Sequence, residues 1–356
     1  MQSFLKFFSL IWFLVLFLYL INQETFVNIS NELDITFSIF IYGVAITYLI
    51  FFNSLRKISL IKFKKILTPN SIYLIAIIFF ILSFSKFLYY FMSAGGFSSF
   101  RAMFIDEKLS LNVGISFPIC ACALFIAKEE KRKKYIYLFS LLSLSLSLIS
   151  TSKIFIVISL IYISGIYRKE FKFKAKVVLF YFILGFLLFS LSHLVLDKLA
   201  GGGSILYSLY FTFLGYLLGG FAVFQNVLDG LILERYDSFV ELIVRNKENV
   251  FNQLDSGWIK TGDWLGNVYS GFTPWYNTYG NFGILLLAIF IGVIYSVIYS
   301  FANKKSLAFL YLKAFSIYPI TFFVFSDTFF SAKLMWLAFI LCSFIIAFTK
   351  INRLKE

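Results

Sequence analysis

The feature that most constrains this chain is a series of uninterrupted apolar stretches, several of them about 20 residues long. An α-helix needs about that length to cross a hydrocarbon layer roughly 30 Å thick. Of the 356 residues, 60% are hydrophobic and only 14% are charged. No single globular core buries that much apolar side chain. The sequence therefore predicts an all-α, polytopic membrane protein built as a bundle of transmembrane helices.

We predict about ten spans from the length and spacing of these stretches. They lie near residues 4–22, 34–53, 70–91, 111–127, 135–150, 154–167, 177–194, 281–301, 306–326 and 328–348. The first stretch lacks a small-residue cleavage site, so we interpret it as a retained helix. The fifth and sixth spans are joined only by Thr151, Ser152 and Lys153, which predicts a tight hairpin. We expect residues 1–356 to form a single membrane domain.

Lysine and arginine are concentrated in alternate loops, which sets the orientation, because cytoplasmic loops carry the excess of basic residues. This distribution also explains the net charge of +14 without a nucleic-acid partner. The loop 194–280 instead holds eight acidic and five basic residues. We therefore predict both termini in the cytoplasm and 194–280 as a large loop on the outer face. The basic side chains assigned to the cytoplasm are Arg56, Lys57, Lys62, Lys64, Lys65, Lys128, Lys131, Arg132, Lys133, Lys134, Arg168, Lys169, Lys172, Lys174, Lys176, Lys304, Lys305, Lys350, Arg353 and Lys355.

Residues 205–228 are apolar enough to cross the membrane, but a crossing here would reverse every later loop against the charge rule. We interpret the segment as re-entrant or interfacial, with Gly201–Gly203 as a hinge, and a true span is the alternative. The residues that follow predict an amphipathic helix of the outer loop, since their apolar side chains recur at three-and-four spacing. These are Ile232, Leu233, Tyr236, Phe239, Val240, Ile243 and Val244.

Familiar cofactor and metal motifs are absent from the sequence. The only histidine is His193, and Cys120, Cys122 and Cys342 all fall inside apolar stretches. There is no phosphate-binding glycine loop, dinucleotide fingerprint or clustered set of metal ligands. We therefore predict no cofactor and no metal site.

The outer face offers cations that neighbouring acids do not explain. Arg101 and Arg235 have no acid three or four residues away, and Lys153 has none nearby, whereas Arg245 has Glu241 and Glu248 at helical spacing. Arginine binds phosphate oxygens with two parallel hydrogen bonds, and aromatic rings stack on sugar faces. This combination indicates a substrate with a phosphate-bearing end and a sugar end.

Three short motifs carry a resemblance to a known family. The first is the loop from Gly95 and Gly96 to Arg101, and the second is the hairpin from Ser150 to Lys153. The third runs from Asn267 to Tyr276 and continues with Tyr279, Gly280 and Gly283. Together they resemble the Wzy-type O-antigen and oligosaccharide repeat-unit polymerases of bacterial envelopes. The chain departs from the family at Thr273, where arginine is common, and at Thr278, where an acid is common.

The resemblance implies an inverting glycosyltransferase of the GT-C type in the bacterial inner membrane, independent of metal and nucleotide sugar. Its partners are an undecaprenyl-pyrophosphate-linked oligosaccharide, the lipid bilayer and a chain-length regulator. Arg101, Lys153 and Arg235 are the implied stabilisers of the departing pyrophosphate, and Asp263 or Glu241 the implied proton acceptor. The implied substrate-binding residues are Arg245, Asn267, Tyr269, Trp275 and Tyr276.

Other classes of membrane protein stay open as alternatives. A lipid-linked oligosaccharide flippase or transporter would place polar residues deep in many spans, where this chain has mainly Lys313. An O-antigen ligase would share the fold and the donor but pass the glycan to lipid A core. A membrane acyltransferase would carry a His- or Arg-bearing motif in its early spans, and none is present.

A reporter that is active only outside the cytoplasm tests the orientation. Fused after Lys247 it should be active, because the acidic loop is predicted to lie outside, and fused after Lys62 it should be silent. An inactive fusion at Lys247 would make residues 205–228 a true span.

Overall fold

The computed structural model describes residues 2–21, 31–59, 63–94, 110–149, 159–160, 162–163, 165–166, 204–230, 236–244, 259–261, 264–266, 270–323 and 333–351. Within these ranges the chain is helical apart from one two-stranded hairpin, which confirms the predicted α-helical class. The helices are α1 (Gln2–Ile21), α2 (Asn31–Leu55), α3 (Pro69–Ser93), α4 (Ser110–Glu129), α5 (Lys133–Ile149), α6 (Ile205–Leu228), α7 (Phe239–Val244), α8 (Thr273–Asn303), α9 (Leu307–Phe322) and α10 (Lys333–Phe348). The antiparallel strands are β1 (Ile259–Thr261) and β2 (Trp264–Gly266), with Ile259 opposite Gly266.

Three of the described helices are long and apolar enough to cross a membrane. They are Leu33–Leu55, Pro69–Ser93 and Thr273–Asn303. Each leaves large apolar side chains exposed on its surface, such as Ile46 of α2, Leu74 of α3 and Phe282 of α8. Lipid can solvate such side chains, whereas water would not. The chain is therefore a helical membrane protein.

The chain divides into two compact units. The first comprises residues 1–57, 172–300 and 319–332, and the second comprises residues 58–171, 301–318 and 333–356. Two helices, α8 and α9, contribute residues to both.

In the first unit, ring contacts fix the directions of α1, α2 and α8. Phe4 at the start of α1 stacks on Tyr295 near the end of α8, with 4.6 Å between ring centroids, and lies 4.5 Å from Tyr48 near the end of α2. At the opposite end, Thr36 of α2 donates a 3.0 Å hydrogen bond to Asn281 of α8. Helix α1 is thus antiparallel to α2, and α8 is parallel to α2.

The crossing of α2 and α8 is close because glycine occupies both sides of it. A Cβ on Gly43 would lie 2.8 Å from the Cβ of Ala288, and a Cβ on Gly292 would lie 2.7 Å from the Cβ of Thr47. The Ser296 hydroxyl, one turn further along α8, donates to the Tyr48 carbonyl at 3.1 Å. Small residues let helix backbones approach in a membrane, where packing replaces the hydrophobic effect as the force between helices.

In the second unit, α3 and α4 are antiparallel, with the Ser83 and Ser116 hydroxyls 2.7 Å apart. Helix α10 packs on α4, and Phe339 of α10 stacks on Phe315 of α9 at 3.8 Å. The Tyr311 hydroxyl donates a 2.8 Å hydrogen bond to the Pro118 carbonyl inside α4. The hydroxyls of Ser147 in α5 and Ser159 are also in contact, so the two segments are adjacent, as the predicted hairpin requires.

One end of the second unit collects the basic side chains. The segment before α3 pairs with the end of α10: Ile66 donates its backbone N–H to the Phe348 carbonyl at 2.9 Å, and Lys350 donates to the Leu67 carbonyl at 2.8 Å. The loop between α4 and α5 lies at the same end, where buried Glu130 accepts from the Tyr73 hydroxyl at 3.3 Å. The exposed cations at this end are Lys64, Lys65, Lys131, Arg132, Lys133, Lys134, Lys305 and Lys350.

Two expectations about the outer loop are changed by the structure. Residues 205–228 form one uninterrupted helix, α6, whether it is interfacial or spanning. The predicted amphipathic helix from Ile232 to Val244 is wrong in its extent, because Tyr236 lies outside the helix and α7 begins at Phe239. The physical reason is the Ser238 side chain, which caps α7 by accepting the Glu241 N–H at 3.2 Å.

Substitution of Gly292 by Val should destabilise the first unit, because the new side chain meets the backbone and side chain of α2. Overpacking of this kind costs about 1–3 kcal/mol, so purified Gly292→Val protein should melt several degrees below the parent. Gly114→Ala in α4 is the matched control, since a Cβ there meets nothing within 4 Å. Equal melting temperatures for Gly292→Val and the parent would contradict the close crossing.

Candidate functional site

The third sequence motif forms the start of α8. The Ser270 and Thr273 hydroxyls lie 3.2 Å apart, and the Thr273 N–H donates to the Ser270 carbonyl at 3.3 Å. Both side chains are fully buried. Thr273 is one of the two positions at which the motif departs from the family it resembles, and its hydroxyl stabilises the helix start. The motif thus supplies no cation at this position.

Two glycines of the motif shape the backbone. Gly280 interrupts α8 with φ 59° and ψ −146°, a conformation that a side chain would strain. A Cβ on Gly283 would collide with the Trp275 carbonyl, so the short helical segment before the break packs directly on the first turn after it. The Tyr279, Gly280 and Gly283 pattern therefore specifies a sharp change of direction at the entry to a membrane helix.

Phe272 anchors the motif in the first unit. Its fully buried ring lies 4.7 Å from Phe40 of α2, 5.6 Å from Phe224 of α6 and 5.2 Å from Phe323. The Gly271 N–H also donates to the Phe323 carbonyl at 2.9 Å, and a Cβ on Gly271 would collide with the Phe323 ring. Four elements therefore meet around the Phe272 ring: α2, α6, the start of α8 and the end of α9.

The two described aromatic residues predicted to bind sugar differ in exposure. Trp275 is fully buried, with Phe239 of α7 edge-on against it at 5.8 Å. Tyr276 is partly exposed, and Phe224 of α6 lies edge-on against it at 5.5 Å. The Tyr276 ring thus keeps part of its surface exposed, whereas the Trp275 ring packs against α7.

Glu241 already has a local role at the start of α7. Its Oε2 accepts the backbone N–H of Asp237 at 3.0 Å, while its own N–H donates to the Ser238 hydroxyl. These reciprocal hydrogen bonds satisfy backbone donors that a helix start leaves open. The arrangement accounts for a carboxylate at this position without catalysis.

Seven predicted site residues lie outside the described residues: Arg101, Lys153, Arg235, Arg245, Asp263, Asn267 and Tyr269. The helices on either side of these seven residues are described, so the places where the intervening segments begin are known. Arg101 lies between α3 and α4 in sequence, and Lys153 follows α5; both connections start at the end opposite the basic loops. In sequence, Arg235 lies between α6 and α7, and Asp263 lies between β1 and β2. Both strands pack against α6.

One carboxylate of α6, the helix that packs on the motif, was not singled out by sequence reasoning. Asp229 ends α6 and is exposed, and its Oδ1 accepts a 2.9 Å hydrogen bond from Gln225, which is fully buried. The sequence did contain a signal, because an acid at the C-terminus of a helix opposes the helix dipole. In the part of the chain that the structure describes, no group of three His, Cys, Asp or Glu side chains could hold a metal ion.

Replacing Glu241 by Ala should loosen α7, since it removes the acceptor for the Asp237 N–H. Losing such a cap costs about 1 kcal/mol, so amide exchange in Phe239–Val244 should become about fivefold faster. Glu241→Gln should keep the parent rate, because the amide oxygen can accept the same hydrogen bond. Hydrogen–deuterium exchange measures this, and equal exchange in the Ala variant would refute the capping role.

Comparison with known proteins gives independent evidence on the family. No family model and no solved structure matches the chain. The chain is 27% identical over 261 residues to an O-antigen polymerase of Shigella dysenteriae, a match that covers 70% of this chain and 66% of the relative. The resemblance to the O-antigen polymerase family that the sequence motifs indicated is confirmed by this similarity.

Proposed function

We propose that the chain is a polysaccharide repeat-unit polymerase that works at the outer face of the bacterial cytoplasmic membrane. Its donor is a growing glycan on undecaprenyl pyrophosphate, and its acceptor is a single lipid-linked repeat unit. The observation that carries the proposal is the similarity over 261 residues to an O-antigen polymerase. The aligned region covers 66% of that relative, so its activity comes to this chain as a proposal.

The reaction is a single displacement with inversion. An acceptor hydroxyl oxygen attacks C1 of the donor sugar that is bonded to the pyrophosphate. The bond from C1 to the phosphate oxygen breaks, and the electron pair leaves with undecaprenyl pyrophosphate. The hydroxyl proton passes to a carboxylate. Negative charge builds on the pyrophosphate as it departs, so fixed cations stabilise the transition state more than the ground state. Neither a metal ion nor a nucleotide sugar is required.

The proposed site combines three kinds of side chain. Arg101, Lys153 and Arg235 hold the pyrophosphate. The glycan is bound by Arg245, Asn267, Tyr269 and Tyr276, with Trp275 as the buried support beneath α7. The sequence singled out Asp263 and Glu241 for the hydroxyl proton, and Glu241 is already engaged as a helix cap.

The proposed orientation puts both termini in the cytoplasm within a bundle of about ten spans. The collection of exposed cations at one end of the second unit supports this orientation, because that end then faces the cytoplasm. The connections that contain Arg101 and Lys153 start at the other end, where the lipid-linked substrate would be bound. A chain-length regulator remains a proposed partner in the membrane.

Two related functions differ from this one in their cellular product. A flippase moves single repeat units across the membrane, and its loss strands them on the inner leaflet. A ligase transfers finished chains to lipid A core, and its loss leaves long chains on undecaprenyl pyrophosphate. Loss of a polymerase instead leaves one repeat per surface lipid, because single units are still flipped and ligated.

Alanine substitution of Arg101, Lys153 or Arg235 should each reduce polymerisation about ten- to a hundredfold. Each removes a charge-assisted contact worth roughly 1.5–3 kcal/mol. Lysine at Arg101 or Arg235 should restore activity only in part, since an ammonium lacks the paired donors of a guanidinium. Gel analysis of surface polysaccharide should show collapse from a ladder to one repeat, beside a blot for protein abundance.

Cations assigned to the opposite face provide the control. Lys64→Ala and Lys350→Ala remove exposed charges from the basic end of the second unit and should keep the ladder. If all three outer-face alanine variants keep a normal ladder at normal abundance, the cation assignment is wrong. If a deletion strain lacks even the one-repeat band, the polymerase function itself is wrong.

A further inference from the structure

The Asp229 carboxylate lies at the solvent-facing edge of the cluster that anchors the motif. Phe224, on the same helix, packs against both Phe272 and Tyr276. Asp229 follows Gln225 by four residues and Phe221 by eight, so these three side chains share one face of α6. Phe221 also packs against Phe272, with 6.3 Å between ring centroids, so this face of α6 runs from the buried cluster to the exposed Asp229.

The helix dipole disfavours an acid at this position. The C-terminus of a helix carries partial negative charge, so a carboxylate there costs about 0.3–1 kcal/mol, whereas a lysine or a neutral residue would not. Among the described residues, Asp229 forms no salt bridge; the salt bridge found there joins Arg132 and Glu130. The residue that follows, Gly230, adopts φ 103° and ends the helix, and a Cβ on it would meet nothing within 4 Å.

Two buried polar groups lie on the side of α6 that carries this carboxylate. Gln225 is fully buried and donates its amide hydrogen to Oδ1, which fixes the orientation of the carboxylate. Tyr19, at the end of α1, packs on Phe221 of the same helix face at 5.8 Å, and its hydroxyl is buried. That hydroxyl has no hydrogen-bond partner among the described residues, which is costly unless a ligand or water supplies one.

We infer that Asp229, rather than Glu241 or Asp263, is the carboxylate that accepts the proton of the attacking sugar hydroxyl. The inference rests on the proposed polymerase function. The acceptor sugar stacks on Tyr276, and its hydroxyl donates to Asp229 Oδ2 while Gln225 holds Oδ1. As the hydroxyl oxygen bonds to C1 of the donor, its proton passes to Oδ2 and undecaprenyl pyrophosphate leaves with the electron pair. The protonated carboxyl group then returns its proton to water.

Asp229→Asn tests the inference with little change of shape. The Asn side-chain oxygen can still accept from Gln225, but it cannot take a proton, so the turnover number should fall about 100- to 10,000-fold with little change in KM. In a deletion strain, Asp229→Asn protein at normal abundance should give one repeat per lipid. Asp34→Asn is the matched control, since it removes another exposed outer-face acid, in the first turn of α2. It should keep the ladder.

A second variant distinguishes loss of the carboxylate from misfolding. Purified Asp229→Ala protein should regain part of its activity when formate is added, because a small carboxylate can occupy the vacated position, whereas a purely structural defect would not respond. A normal ladder with Asp229→Asn, or loss of activity in Asp229→Ala that formate leaves unchanged, overturns the role of Asp229 and leaves the polymerase function standing. If the parent chain fails to restore a ladder to the deletion strain, the polymerase function fails, and the inference fails with it.

Discussion

The burial of Phe272 is the interaction on which the rest of the first unit depends. Its ring fills the space among α1, α2, α6 and the end of α9, with Trp12 at 5.5 Å and Phe37 at 5.4 Å completing the contacts. Aromatic rings in such edge-on arrangements contribute beyond the area they bury. Because Phe272 belongs to the motif before α8, its position fixes this motif to helices α1, α2 and α6. The partly exposed Tyr276 and the carboxylate of Asp229 are held relative to one another by this packing.

Much of the motif that carries the family resemblance is scaffold rather than chemistry. Gly280 supplies a backbone conformation, Gly283 admits the Trp275 carbonyl, and Thr273 closes the helix start. A substrate needs a rigid surface, and rigid side chains keep catalytic groups within a narrow range of geometry. In the proposed reaction, the chemistry falls to cations and carboxylates outside this motif.

The sequence was most informative where a single physical rule dominates. Apolar length predicted α2, α3 and the part of α8 after the break at Gly280 within a few residues, although α8 itself begins eight residues earlier than predicted. The basic loops of the second unit do collect at one end, as the alternation of charge requires. Prediction failed where one local contact determines where a helix begins. The Ser238 cap starts α7 later than the apolar spacing of residues 232–244 suggested. Asp229 was overlooked because its significance depends on Gln225 and on Tyr19, and the contact that brings Tyr19 to this face of α6, with Phe221, joins residues 202 positions apart. A single sequence without its fold does not reveal that contact.

The central claim is that this chain alone joins lipid-linked repeat units. The most direct measurement is a reconstitution of purified protein in lipid vesicles with undecaprenyl-pyrophosphate-linked single repeat units, in the presence of EDTA. The account predicts products of two, three and more repeats, with one undecaprenyl pyrophosphate released for each bond formed. Absence of any product longer than one repeat, both in EDTA and after divalent cations are restored, would contradict it.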